Sequence, residues 1–244
     1  MLNESARLRL GVFSLYSLCQ VVRGVMDFFE VVLNQRACRQ FSDEPVDVEL
    51  VTRCLEAAIH APSAENRQPW VFVVVRDPAQ RSAVNALTRR AWREGGRAHS
   101  ESRLPSALMK DVDDGAEKGF AQAPVLVVVC GDSSIGLEVT MPASVFLATQ
   151  NLLLAANALG LGSAMTTLAT LFPAELSRIL ELPPHVQPMA VVPLGWPGRP
   201  LGPPRRLPLV ERVHFDRFGD VSTAVIPNSG GPLAATAPGT YRGA

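Results

Sequence analysis

The chain has 244 residues, 47% of them hydrophobic and 19% charged, with 23 basic residues balanced by 23 acidic ones. That is enough apolar material for one or two globular domains. A formal net charge of zero argues against sequence-independent nucleic-acid binding, which needs a basic face to displace counterions.

The first 25 residues imitate a signal peptide, with Arg7 and Arg9 ahead of an apolar run over 10–22. Ser14, Ser17 and Gln20 interrupt the run, no A-x-A-like cleavage site follows, and it is short for a membrane span. We read 1–25 as an N-terminal extension: first as an extra helix, next as an upstream-extended reading frame ahead of Met26, last as an export signal. The body of the protein is expected over 26–220 and a flexible tail over 221–244, where Gly, Pro, Ala, Ser and Thr replace any core pattern.

Within the body, 27–34 is apolar on a helical period. Asp47 is placed to cap a helix over 48–60 whose apolar positions share one face, and Pro62 ends it. The polar loop 61–69 leads into W-V-F-V-V-V-R at 70–76, a strand apolar on both faces and therefore expected to be buried. Residues 77–120 read as helical material broken at Gly95-Gly96 and Pro105, suited to a mobile lid or a substrate-facing segment. P-V-L-V-V-V-C at 124–130 is a second buried strand. A nearly all-apolar helix over 142–159, interrupted by Thr149, Gln150, Asn151 and Asn157, belongs in a core or at a subunit interface. Gly160-Leu161-Gly162 closes it. A strand or strand-like loop over 163–170, a helix over 173–180 and a strand over 189–194 follow. The Pro- and Arg-rich stretch 197–208 is expected to be extended. Helices and strands mix without regular β-α-β alternation, which gives an α+β class.

Cys19, Cys38, Cys54 and Cys130 form no C-x-x-C pair, and His60, His99, His185 and His214 are scattered. Four separate thiols in a reducing cytoplasm, and no metal site, are expected. Dinucleotide, phosphate-loop, nucleophile-elbow and zinc-protease signatures are absent from the sequence; enzymes that lack them often leave the chemistry to a cofactor.

Four segments carry candidate binding groups. Arg36 and Arg39 sit three apart at a helix end and, on a helix, would face one anion; a solvated basic helix end has the same pattern. The loop Ala61-Pro62-Ser63-Ala64-Glu65-Asn66-Arg67-Gln68-Pro69-Trp70 offers the amides of Asn66 and Gln68, which match the alternating N–H and C=O edge of a pyrimidine-like ring; an ordinary turn would use the same residues. The stretch from Gly160 through Thr166, Thr167 and Leu168 allows close backbone approach. Arg205 and Arg206 lie in a basic extended segment.

In order and spacing these segments resemble the nitroreductase family of FMN enzymes. The family's R-S-x-R-x-F element is met by Arg36-Ala37-Cys38-Arg39-Gln40-Phe41, its A-P-S-x-x-N-x-Q-P-W loop by 61–70 and its A-L-G-L-G-S turn by 158–163. Its R-x-P-L-x-x-x-x-H-[WF] element runs from Arg206 to Phe215. The resemblance spans about 26–219. It implies an α+β fold with a central, mainly antiparallel sheet flanked by helices, in an intertwined homodimer with FMN at the subunit interface. It implies that Arg36 and Arg206, with Arg205, hold the phosphate. Arg39 would face flavin N1 and the C2 carbonyl, where a positive charge stabilises the anionic reduced flavin. Pro62, Ser63, Ala64, Asn66 and Gln68 would contact the cofactor, with 62–64 contributed by the partner. The backbone of Thr166, Thr167 and Leu168 would lie near flavin N5, which carries the hydride, so no catalytic side chain is required. NAD(P)H would be the reductant and a nitroaromatic, quinone or similar small molecule the acceptor, by ping-pong transfer. Other flavin chemistry (dehalogenation, ring oxidation, flavin breakdown) and a flavin-binding module without turnover remain alternatives. No nucleic-acid or membrane partner is expected. Two residues depart from the pattern: Ala37 replaces a usual Ser, removing one hydroxyl donor to the phosphate, and Met165 replaces an aromatic residue found in some relatives.

Overall fold

A computed structural model describes residues 27–221. The expectations for 1–25 and for nearly all of the tail therefore lie outside the described residues. Contacts divide the chain into one compact unit ending at Pro203 and a second beginning at Pro204, a boundary that falls inside the stretch expected as one body.

The first unit is built on a four-stranded antiparallel sheet in the order β1-β2-β4-β3. β1 is Trp70–Val75, β2 Val125–Asp132, β3 Gly162–Ser163 and β4 Val186–Gly195. β2 is central and every residue in it is buried. Alternation along a strand sends successive side chains to opposite faces. Val125, Val127 and Val129 accordingly join one core, and Leu126, Val128 and Cys130 join the other. That is why the segment reads as a continuous apolar run rather than an alternating one.

The first core is covered by α2 (Val48–Ile59) and α7 (Met141–Ala158). α7 buries Val145, Ala148, Thr149, Leu152 and Ala156 at helical spacing. Its interrupting polar residues have local tasks. Thr149 Oγ1 donates to the Val145 carbonyl at 2.9 Å. Asn151 Nδ2 donates to Ala57 O of α2 at 3.1 Å, and Asn157 Nδ2 to Val31 O of α1 (Phe28–Asn34) at 2.8 Å. After α7, Gly160 adopts φ +79°. Gly160 N donates to Asn157 O and Leu161 N to Ala156 O, the paired bonds of a Schellman stop.

The second core lies under α3 (Pro78–Ala91) and α8 (Pro173–Ile179). α3 is capped by Asp77, which accepts from Gln80 N at 2.8 Å. The chain then runs through a π-helical turn (Trp92–Gly96), α4 (Arg97–Glu101), α5 (Ser106–Asp114), a second π-helical turn (Gly115–Gly119) and α6 (Phe120–Gln122).

Several boundaries differ from expectation. β1 is not buried throughout: only Trp70 and Val75 are, because it is an edge strand flanked on one side. Gly95 does break the helical run as expected, with non-helical backbone at φ 170° and ψ −28°; beyond that, Gly96 permits close packing, since a Cβ there would meet the Trp92 ring at 3.1 Å and Leu168 at 3.3 Å. Residues 163–170 form no continuous strand: after β3, Thr166 bridges Val191 and a 3-10 turn follows at Ala169–Leu171. β4 begins at Val186, earlier than its apolar run, because a bulge opposite Val129/Cys130 leaves out Met189 and lets Pro188 and Gln187 keep pairing. Asp47 occupies the N-cap of α2, but without a side-chain capping bond.

The excursion over 92–122 has its own small core of Trp92, Met109 and Ala116 against Leu104, Val112 and Leu168. Ion pairs Arg93–Glu117 and Arg97–Asp113 lie over it. The Trp92 indole N–H donates to Asp113 at 2.8 Å and, as the main cause, holds that carboxyl below its ordinary value of 3.8. The Arg93 bond does the same for Glu117, ordinarily 4.5. Carboxyl values lowered by folding contribute stability that is fully present above the unfolded values and is lost as pH falls through the folded ones. Tm should therefore fall as pH drops below about 4.5. Trp92→Phe, which removes the N–H, should flatten that drop in thermal melts at pH 3, 4 and 5; an unchanged profile contradicts the assignment.

Among its described residues the second unit carries a 3-10 turn at Leu209–Glu211 and packs the His214 and Phe218 rings at 4.4 Å. Its stretch from Pro204 to Pro208 has no regular secondary structure.

Candidate functional site

α1 ends at Asn34, before either arginine. Arg36 and Arg39 therefore do not share a helical face. They lie on an extended segment that bridges β3 in parallel through Ala37 and Ser163, with Cys38 N donating to Ser163 O at 2.9 Å. Arg36 Nη1 donates to Gly202 O at 2.9 Å. Arg39 Nη1 is bonded to Asp111 Oδ2 at 2.9 Å. Cys38, between them, is a packing residue: its Sγ donates to Gln40 O, burial pushes its thiol up, and it fills the space where a Cβ on Gly162 would sit, 2.6 Å from that sulfur. Burial likewise pushes Cys54 up to about 11 and Cys130 to about 12, so these thiols stay protonated and unreactive at neutral pH.

Thr166 lies beside the same edge, exchanging both backbone bonds with Val191 (2.9 and 2.8 Å). Thr166 Oγ1 then accepts from Leu168 N at 3.3 Å, which turns the chain at Thr167 and leaves Thr167 and Met165 exposed. Segments 36–41 and 162–168 are thus brought together along the β3 edge.

The loop at 61–69 is elsewhere. Glu65, Asn66 and Gln68 all have φ of 53°. Non-glycine residues adopt this conformation at a cost of order 1–2 kcal/mol each, and such strain gathers at ligand sites. The loop is braced by Ala64 N donating to Ser144 Oγ at 3.2 Å, Gln68 N to Ser63 Oγ at 3.0 Å and Arg67 Nη1 to Ile135 O at 3.2 Å. Asn66 and Gln68 are presented outward, with Gln68 Nε2 3.3 Å from Asn66 Oδ1. Pro62 is exposed, and Ser63 and Ala64 are half-buried.

Sheet register separates the two groups. The loop enters β1 at Trp70, opposite Gly131 of β2. Ser163 pairs with Leu194, whose β2 partner is Val125. Val125 and Gly131 are roughly 20 Å apart at ~3.4 Å per residue, and β1 and β3 are about 14 Å apart at ~4.8 Å per strand. Within one chain the loop and the Arg36–Arg39 segment occupy opposite corners of the sheet.

In the second unit, Arg205 and Arg206 are exposed, and Arg206 Nη1 donates to Arg205 O at 3.0 Å.

The structure also singles out Asp111, Gly115, Gly119 and Arg199, which lie outside the four sequence motifs. The first three fall at helical spacing of four, a signal that was present but has no meaning until its partner is known. As a donor set, the candidate residues suit a phosphorylated flavin: guanidinium forks for a phosphate, outward amides for a pyrimidine edge, and a small-residue turn for close backbone approach.

Among the described residues, no helix is long and apolar enough to cross a membrane. A model of the Nitroreductase family matches residues 32–196. An NADH dehydrogenase from Thermus thermophilus is 34% identical over 206 residues, covering 78% of this chain and 95% of that protein. A 5,6-dimethylbenzimidazole synthase from Rhodospirillum rubrum is 34% identical over 178 residues, covering 67% and 78%. An iodotyrosine deiodinase solved with FMN and 3-iodo-L-tyrosine shares the fold at a TM-score of 0.60 and 24% identity, covering 79% of this chain and 100% of that one. The antiparallel sheet between two helical layers, the motif segments 36–41, 61–70 and 158–163 at its edges and a family match over 32–196 agree: this chain belongs to the nitroreductase family of oxidoreductases.

Proposed function

We propose that two copies of this chain bind FMN between them and use it, with NAD(P)H as reductant, to reduce a small-molecule acceptor of nitroaromatic, quinone or similar chemistry. The observation that carries this reading is the separation of the candidate contacts to opposite corners of the sheet. One chain does not assemble them, whereas a two-fold pair sets the loop of one copy against the β3 edge of the other. An uncovered apolar face supports the pairing. Phe28 and Phe29 are 65% and 66% exposed, Phe146 and Leu147 of α7 are also exposed, and a groove of about 350 Å³ runs between α1, α2 and α7. Apolar patches of this kind mark interfaces.

In this reading Arg36, Arg206 and Arg205 grip the phosphate, with the backbone at Ala37 beside them. Arg39 places its charge at the N1 and C2 carbonyl side. Asn66 and Gln68 address the ring edge, Pro62, Ser63 and Ala64 come from the second copy, and the backbone at Thr166, Thr167 and Leu168 borders the reactive side. Bound FMN supplies the hydride chemistry; the protein orients donor and acceptor over it in turn. Arg39 and Asp111 are mostly shielded from solvent, which strengthens their electrostatic effect on a bound ring. The buried free thiols Cys38, Cys54 and Cys130 favour a reducing, cytoplasmic setting.

A visible spectrum of purified protein with added FMN, before and after anaerobic NAD(P)H, tests the proposal. A flavin spectrum that bleaches with NAD(P)H is expected. Protein that takes up no FMN rejects the reading, and flavin that stays oxidised makes the chain a flavin-binding module without turnover. The named synthase and deiodinase relatives support a second reading, other flavin chemistry on the same scaffold. Steady-state consumption of NAD(P)H with a nitro compound favours the first.

A further inference from the structure

One face of the 106–122 excursion is built around a single residue of the 36–41 segment. Gly119 approaches Arg39 so closely that a Cβ there would lie 1.7 Å from the Arg39 carbonyl oxygen. One turn earlier, a Cβ on Gly115 would meet the Arg39 stem, 2.8 Å from its Cβ and 2.9 Å from its Cδ. One turn earlier again, Asp111 takes the guanidinium through Nη1. Positions 111, 115 and 119 thus contact, in order, the head, stem and backbone of the same arginine, and residues four apart share a helix face. Asp111 has a second partner, Arg199, on its other carboxylate oxygen. The carboxylate is 14% exposed and the Arg39 side chain 19%.

We propose that Asp111 is a positioning residue for Arg39: the Asp111–Gly115–Gly119 stripe holds the guanidinium in a fixed place and orientation before any ligand arrives. This rests on Arg39 being a flavin contact, as proposed above. An unanchored arginine samples many rotamers, and ordering it on binding weakens affinity. Asp111 removes that cost in advance while engaging Nη1 alone, and a guanidinium carries five N–H donors. Asp111 also leaves the cluster of Arg39, Arg199 and itself with one net positive charge, so the cluster still attracts an anionic ligand.

A double-mutant cycle separates positioning from a general role in holding α5. FMN Kd is measured by quenching of flavin fluorescence on apo-protein for wild type, D111N, R39A and D111N/R39A, with melting curves for each. D111N is expected to weaken FMN binding about tenfold in the wild-type background, with D111E recovering part of the loss. In the R39A background the same change is expected to alter Kd less than about twofold or to tighten binding, since it then only removes a negative charge near an anionic ligand. Should D111N fail to fold, Asp111→Ser takes its place in the cycle. Equal weakening in both backgrounds, or no weakening in either, overturns the proposal and leaves the flavin reading standing. A wild-type chain that takes up no FMN overturns both.

Discussion

Gly119→Ala is expected to lower the Tm by about 6–12 °C, the largest effect of any Gly→Ala change among the described residues. The added carbon would sit 1.7 Å from the Arg39 carbonyl oxygen and 2.9 Å from its carbon. Both are backbone atoms, so no side-chain rotation relieves the clash. Either the 115–122 segment or the 36–41 segment must move by more than an ångström. Overpacking on this scale costs about 3 kcal/mol, and in a chain of this size each kcal/mol is worth roughly 2–4 °C. Gly115→Ala should cost less, because the atoms it meets belong to the Arg39 side chain. Gly95→Ala serves as the control, having nothing within 4 Å of its added carbon. Melts of the three variants rank the positions. Equal Tm values for Gly119→Ala and Gly95→Ala contradict the close approach on which the Asp111–Gly115–Gly119 stripe depends.

Arg36→Ala is expected to raise the Kd for FMN about 10- to 150-fold, corresponding to the roughly 1.5–3 kcal/mol of a hydrogen bond to a charged group. Arg36 is held toward the 197–203 stretch by its bond to Gly202 O, so its guanidinium is partly ordered in advance. The usual serine hydroxyl is replaced by Ala37, which leaves the phosphate more dependent on arginines. Arg36→Lys keeps the charge but not the planar fork and should fall between the two. Titration of apo-protein with FMN at fixed ionic strength provides the measurement. An Arg36→Ala protein that binds as tightly as wild type removes Arg36 from the site.

Strand positions were legible because they depend on local composition. P-V-L-V-V-V-C must be buried on both faces whatever its neighbours, and Gly160 after an apolar helix terminates it by a local backbone conformation. The excursion over 92–122 was read less well. Gly95-Gly96 has the composition of a break and Gly95 is one, but the packing of Trp92 and Leu168 against Gly96 depends on distant segments and was not legible. β1 has the composition of a buried strand, yet its place at the sheet edge leaves 71–74 partly open. Edge or centre is decided by strand order, which no single segment encodes.

The candidate site divides the same way. The types of residue at Arg36, Arg39, Asn66, Gln68 and Arg206 and their order along the chain identified the family and the chemistry they suit, because guanidinium and amide groups recognise their ligands by shape and charge wherever they are placed. Their arrangement was not determined at that level. Arg36 and Arg39 were expected on one helix face, and the helix ends before both. Only the antiparallel register puts the 61–69 loop and the β3 edge at opposite corners of the sheet. Only the fold brings Asp111, 72 residues away in sequence, against Arg39. Composition and local periodicity report what a segment buries and what its side chains can bind; contacts between distant segments arise from strand order and helix packing, which are properties of the whole chain.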